Sequence, residues 1–297
     1  MASEPSPAPG SAFGHPGIPP TWTTSSKDGI GTAYATSSRV WFTLALGILT
    51  EIYYPTIDRP QIRDAQFLVT DGESFFHEEK RDMLKKTVRL ETHTLGYHVT
   101  TTDPEGRYRI EKNVICDPHQ ACVLINARLL PAPGWENKLK LYFLLAPHLE
   151  VGGWNNSAMK MVVAGREVLL AWKNRTYLAV GCDSGFTRSS CGFVGASDGW
   201  RDLQDNFHMD WEFERAENGN VAVMGEVDLS RGNEVTVAIA FGDGLHAATA
   251  SLNQSLAVPF DQHRKRFIEQ WQRMTDTLHR LEHASGDGGH LYHTSRT

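Results

Sequence analysis

From Gly29 to Gly242 the sequence breaks into short runs of β-branched and aromatic residues, separated by turn dipeptides and almost without a helical period. The runs are Val40–Leu44, Ile48–Tyr54, Gln66–Thr70, Tyr97–Thr101, Arg107–Ile115, Cys122–Leu129, Leu139–Leu145, Val168–Trp172, Tyr177–Cys182, Val221–Leu229 and Glu234–Phe241. In Val221–Leu229 the apolar Val221, Val223 and Val227 share one parity and Glu226 and Asp228 the other, as in a strand with one packed and one wet face. So many strands exceed what one twisted sheet carries. The pattern predicts an all-β body of two antiparallel sheets packed face to face, a large sandwich.

Asp71-Gly72, between FLVT and ESFF, predicts a two-residue hairpin turn, because both central positions of a type I′ turn need positive φ. Asp103-Pro104-Glu105-Gly106 predicts a second hairpin. After Phe241 the period changes. Leu245, Ala248, Leu252 and Leu256 follow helical spacing, with Asp243 as cap and Pro259 as stop. Phe267, Trp271, Met274, Leu278 and Leu281 form one apolar stripe on a second helix, behind an Asp261 cap. The tail from Ala284 reads as linker. Upstream, the Pro-, Ser-, Gly- and Thr-rich start predicts an irregular arm that buries little. The chain thus divides into an arm (1–28), a β body (29–243) and a helical linker (244–297).

Asp and Glu number 35 against 29 Lys and Arg, a formal charge of −6, and no long basic run occurs. Nothing favours nucleic acid or an anionic membrane surface as partner; a neutral or small polar ligand fits better. No apolar stretch is long enough to span a bilayer, and Met1–Pro9 has neither the positive nor the apolar region of a secretory signal, which favours a cytoplasmic location. Cys116, Cys122, Cys182 and Cys191 lack C-x-x-C spacing and are read as structural thiols, with no metal or cofactor assigned.

Two motifs match catalytic patterns in form only. Gly195-Ala196-Ser197-Asp198-Gly199 fits G-x-S-x-G, but no helical pattern follows, so a tight turn is expected in which Ser197 and Asp198 bond neighbouring amides. His279-Arg280-Leu281-Glu282-His283 fits H-x-x-E-H on a helix, but few residues follow in which to find a third zinc ligand.

Residue types suited to sugars occur at Trp154, Asn155 and Asn156, after Pro147-His148. Tyr53 and Tyr54, followed by Asp58, Arg63 and Asp64, place aromatic and charged groups where a sheet rim would lie. The competing reading of these charges is a buried ion pair of Arg63 with Asp64 or Asp58. His98, His119 and His148 have the chemistry for acid–base roles. Asp and Glu are plentiful, but a carboxylate pair for glycoside chemistry is defined by a spatial separation.

Pro16-Gly17-Ile18-Pro19-Pro20-Thr21-Trp22, Lys27-Asp28-Gly29-Ile30-Gly31-Thr32-Ala33 and the stretch SRVWFTLALGILTEIYYPTIDRPQIRDAQFLVTDGESFFHEEKRD from Ser38 to Asp82 go further. With Ala146-Pro147-His148-Leu149, Ser197-Asp198-Gly199-Trp200-Arg201-Asp202-Leu203, Gly219-Asn220-Val221-Ala222 and the strand ending in Phe241-Gly242, the sequence resembles the N-terminal domain of bacterial glucoamylases and glucodextranases, glycoside hydrolase family fifteen. The resemblance implies a supersandwich related to the galactose mutarotase fold, joined by a helical linker to an α/α barrel that carries the catalytic glutamates. It implies that the final residues, Leu291-Tyr292-His293-Thr294-Ser295, are the barrel's entry segment, and that the barrel is the partner of this domain. The parent would release glucose from the non-reducing ends of α-glucans with inversion, and this chain alone would not.

The candidates for carbohydrate or barrel contact are Tyr53, Tyr54, Arg63, Asp64, His148, Trp154, Asn155 and Trp200, and the resemblance implies that the stripe Phe267, Trp271, Met274, Leu278 and Leu281 faces either the sandwich or the barrel. The alternatives are a stand-alone epimerase of the mutarotase type, with His148 as the acid, and a carbohydrate-binding module.

Overall fold

The computed structural model describes residues 10–277, 284–289 and 291–292. Along the chain the strands are Gly29–Thr32 (β1), Trp41–Ala45 (β2), Ile48–Tyr53 (β3), Ile62–Thr70 (β4), Phe76–Glu78 (β5), Leu84–Arg89 (β6), Tyr97–Thr102 (β7), Tyr108–Cys116 (β8) and Cys122–Pro131 (β9). They continue with Lys140–Pro147 (β10), Asn156–Val163 (β11), Arg166–Lys173 (β12), Thr176–Cys182 (β13), Phe186–Phe193 (β14), Arg215–Gly219 (β15), Val221–Val227 (β16) and Glu234–Gly242 (β17). The helices are Glu79–Asp82 (α1), Gly199–Asn206 (α2), Leu245–Leu256 (α3) and Phe260–Asp276 (α4).

An eight-stranded sheet runs β1-β2-β3-β4-β10-β16-β14, with β5 also on β4, and a nine-stranded sheet runs β15-β11-β12-β13-β17-β9-β8-β7-β6. Every strand pairing within them is antiparallel. This is the two-sheet supersandwich. The inner faces, with Phe42, Ile52, Phe67, Leu141 and Phe143 from one sheet and Val99, Ile110, Ile125, Leu178 and Ile239 from the other, form one continuous core. Burying each such side chain contributes roughly 1.5–3 kcal/mol, and this is what holds the sheets together.

Each run singled out in the sequence overlaps a strand, and β5 is the strand that the hairpin at Asp71-Gly72 calls for, but β1, β6, β11, β14 and β15 carry no such run. β6 (LKKTVR) is an edge strand with little to bury, and β14 (FTRSSCGF) is small and polar. β11 turns into β12 through Ala164-Gly165, both at positive φ (51° and 78°), a turn that an alanine does not advertise.

Four local features differ from what the sequence predicts. The turn between β4 and β5 spans residues 71–75 instead of two residues, because the Asp71 carboxylate accepts the amides of Glu73, Ser74 and Phe75 at 3.0, 2.8 and 3.2 Å. The hairpin at Asp103–Gly106 forms as the sequence suggests, with the Gly106 amide donating to the Asp103 carbonyl at 2.9 Å. The second face of β16 is not wet: Ala222 and Met224 are buried among Leu68, Tyr142, Leu144, Leu203 and Met209, because α2 and the segment after it lie over that face. Finally, α3 starts after Gly244 without a side-chain cap, so Asp243 does not cap it, and α4 starts behind Pro259 with Asp261 in its first turn. An aspartate there still meets the positive end of the helix dipole.

On α4, Phe267 and Trp271 are buried against the sandwich and Met274 is half-buried. Leu278, Leu281 and the His279–His283 motif lie outside the described residues. The arm is irregular but docked: the Ala12 amide donates to the Arg215 carbonyl (2.8 Å), the Ile18 amide to the Val194 carbonyl (3.0 Å), and the Asn220 amide to the Pro16 carbonyl (2.8 Å). Among the described residues no helix is long and apolar enough to cross a membrane.

Candidate functional site: a cavity on the outer face of the eight-stranded sheet

Alternation along β4 turns Ala65, Phe67 and Val69 into the core and Gln66 and Leu68 to the outer face, where β10 adds Leu144 and β16 adds Ala222. A cavity of about 180 Å³ opens over this surface. Leu144, Val194 and Ala222 supply its apolar lining, Trp200 an aromatic wall, and Arg63, Gln66, Glu78, Lys80, Arg81 and Asp198 its polar groups.

The polar groups hold one another in place. Asp64 is buried beside the cavity, with Lys80 Nζ at 2.9 Å and Arg63 Nη2 at 3.1 Å, and the Thr23 hydroxyl donates to it at 2.7 Å. Burial works against its ionisation, but the charges of Arg63 and Lys80 and these hydrogen bonds outweigh it and hold the carboxyl well below the usual carboxylate range. Gln66 Nε2 donates to Glu78 Oε2 (2.9 Å), and Arg81 Nε stands 2.9 Å from Glu78 Oε1. The Arg81 guanidinium also lies over the Trp200 ring, 5.7 Å from its centroid, and Phe76 packs edge-on against the same ring at 5.9 Å.

Trp200 owes its position to the Ser197–Asp198 turn. A helix does follow this motif, contrary to the sequence reading, because Asp198 is its N-cap: the carboxylate accepts the Arg201 amide at 3.2 Å and, on the other side, the Gly195 amide. Burial pushes the Asp198 carboxyl up, and these amides pull the other way. The turn folds back tightly on β14, and a Cβ at Gly192 would lie 2.1 Å from the Ser197 carbonyl oxygen, so only glycine fits there. Ser197 is fully buried; its hydroxyl accepts the Phe193 amide at 3.0 Å and donates to the Phe13 carbonyl at 2.6 Å. It is a structural link between turn and arm, with no free hydroxyl to act as nucleophile.

Of the residues singled out in the sequence, the structure brings together Arg63, Asp64 and Trp200. Arg63 pairs with Asp64, while Asp58 is exposed. Tyr53 is half-buried at the end of β3, and Tyr54 is buried and stacked on Phe241 at 5.4 Å, on another side of the molecule's core. Trp154 and Asn155 sit on an exposed loop organised by Asn156, which accepts the Leu149 amide at 2.9 Å and donates to the Gly152 carbonyl at 2.8 Å. His148 is buried, contacts Trp22 edge-on (4.8 Å between centroids) and does not line the cavity. Neither of its ring nitrogens has a hydrogen-bond partner among the described residues. Burial, aided by the charges of Arg63 and Lys173 and opposed by Asp64, lowers its pKa to about 4.

Sequence reasoning missed Gln66, Glu78, Lys80 and Arg81. The charged run Glu78–Asp82 was visible, but nothing in it signalled that a one-turn helix would fold the run back over β4. The four cysteines are unpaired, buried thiols, and no cluster of His, Cys, Asp or Glu able to hold a metal occurs among the described residues.

The profile of the family described as glucodextranase, domain N, matches residues 12–276. The chain belongs to that family. This domain N chain is 31% identical over 285 residues to a glucoamylase from Clostridium sp. (strain G0005), an alignment that covers 96% of the chain and 40% of the glucoamylase. Its structure matches that of a bacterial glucoamylase complexed with acarbose with a TM-score of 0.91 and 31% identity, over 96% of the chain and 42% of that protein. A family GH92 glycosyl hydrolase shares the fold alone, with a TM-score of 0.50 and 10% identity over 83% of the chain and 35% of that protein. The domain therefore spans about two fifths of the length of the glucoamylases it matches, 40% and 42%.

Proposed function

We propose that this domain N is the non-catalytic N-terminal domain of a glucoamylase-type glycoside hydrolase acting on α-glucans. In this reading the arm to residue 28, the sandwich over 29–243 and the helices from 244 onward form one support for a catalytic α/α barrel of the same polypeptide. The observation that carries it is the coverage: nearly the whole chain aligns, yet with only 40% of the Clostridium glucoamylase. The fold is consistent with it: Ser197 of the G-x-S-x-G stretch is committed to packing, and the buried His148 does not line the cavity.

The supporting role has a direct test. In a polypeptide carrying both parts, removal of this domain lowers the thermal midpoint of the catalytic part and reduces its activity on maltooligosaccharides. An unchanged midpoint and unchanged turnover would contradict the role.

A further inference from the structure

We propose that the cavity between β4, β10, β16 and α2 is a binding site for one neutral hexopyranose unit, a glucan-contact site on the sandwich itself. Sugar recognition needs an apolar surface for the C–H face of the ring and fixed polar groups for the hydroxyls. Both are present. Trp200 and the Leu144, Val194 and Ala222 side chains supply the first, and the 180 Å³ volume suits a single ring better than a longer oligosaccharide.

The polar groups suit a neutral ligand. The lining cations Arg63, Lys80 and Arg81 are offset by the lining carboxylates Glu78 and Asp198 and by Asp64, buried beside the cavity and paired with Arg63 and Lys80, so little net charge is left with which to attract an anion or a cation. They are also pre-positioned: Gln66, Lys80 and Arg81 all approach the Glu78 carboxylate, and Lys80 is shared with Asp64. Glu78 Oε1 is buried and, although Arg81 Nε is 2.9 Å away, no donor among the described residues is aligned for a hydrogen bond to it. A ligand hydroxyl reaching that oxygen would supply the missing bond.

This inference rests on the α-glucan reading only for the choice of glucose as the sugar. The test is a titration of the 297-residue chain with methyl α-glucoside, maltose and isomaltose, and in parallel with methyl α-galactoside, methyl α-mannoside and inorganic phosphate. Tryptophan fluorescence and calorimetry are read together. Saturable one-to-one binding of the glucosides is expected, with phosphate giving no signal. Trp200→Ala abolishes it, and Arg81→Ala, at a side chain 64% exposed and so tolerated by the fold, weakens it several-fold. Absence of saturation with any sugar, saturation by phosphate, or binding that is unchanged in both variants overturns the site. Binding of galactoside or mannoside without glucoside keeps the site and overturns the α-glucan assignment.

Discussion

Lys112 on β8 and Glu79 at the start of α1 form a buried ion pair that joins the two sheets. Glu79 accepts the Phe67 amide of β4 at 2.8 Å and the Thr101 hydroxyl of β7 at 2.7 Å, and Lys112 Nζ donates to the Gly47 carbonyl at 2.8 Å. One carboxylate is therefore bonded to both layers of the sandwich. Burial lowers the Lys112 pKa and Glu79 counteracts it. Removing one partner strands a charge in the core. Lys112→Met is expected to lose about 3–5 kcal/mol in urea unfolding, while Lys112→Met combined with Glu79→Met loses clearly less. Equal losses in the single and double variants would show that the pair does not act as a unit.

His148 gives the stability a pH dependence. Its folded pKa of about 4 lies below the ordinary imidazole value, so the unfolded chain binds more protons between the two. Stability contributed by the neutral ring is present above about pH 6.5 and is lost as the pH falls toward 4, about 3 kcal/mol in all. Because neither ring nitrogen is bonded, His148→Leu should be nearly neutral at pH 7.5 and should remove this part of the acid sensitivity. Denaturation at a series of pH values checks it, and parallel curves for the two proteins would refute it.

Ser197 links the arm to the turn that positions Trp200. Ser197→Ala leaves the Phe193 amide and the Phe13 carbonyl without their side-chain partner, at a cost of about 1–3 kcal/mol. Limited proteolysis and hydrogen exchange should show residues 10–20 released before the sandwich opens. Protection of the arm equal to that of the unaltered protein would contradict this account of how it is held.

The helical stripe divides by burial. Phe267 is fully buried and Trp271 is 2% exposed, whereas Met274 is half-buried. Truncating either aromatic to alanine should cost about 3–5 kcal/mol, and Met274→Ala under about 1.5 kcal/mol, by thermal unfolding. Comparable losses at all three would mean that Met274 packs as deeply as the aromatics.

How much of this was legible follows from the range of the forces involved. Central strands such as β9 and β17 declare themselves because burial on both faces demands unbroken apolar runs, CVLINARLLP and EVTVAIAFG. Edge strands such as β6 and β15 bury little and leave no such trace. Arg63 and Asp64 were legible as a pair because they are adjacent in sequence. The union of Glu78 and Lys80 with Trp200 was not, since it depends on α1 and α2 being brought to one sheet face from segments more than a hundred residues apart. The burial of Met224 beneath α2 was hidden for a different reason: the alternation of β16 says which side chains share a face, not what covers that face.

The most direct test of the central claim is glucose release by the purified 297-residue chain incubated alone with maltose, starch and dextran. The account predicts no release above the enzyme-free background. Sustained turnover of any of these substrates would place catalytic groups within the sandwich and contradict it.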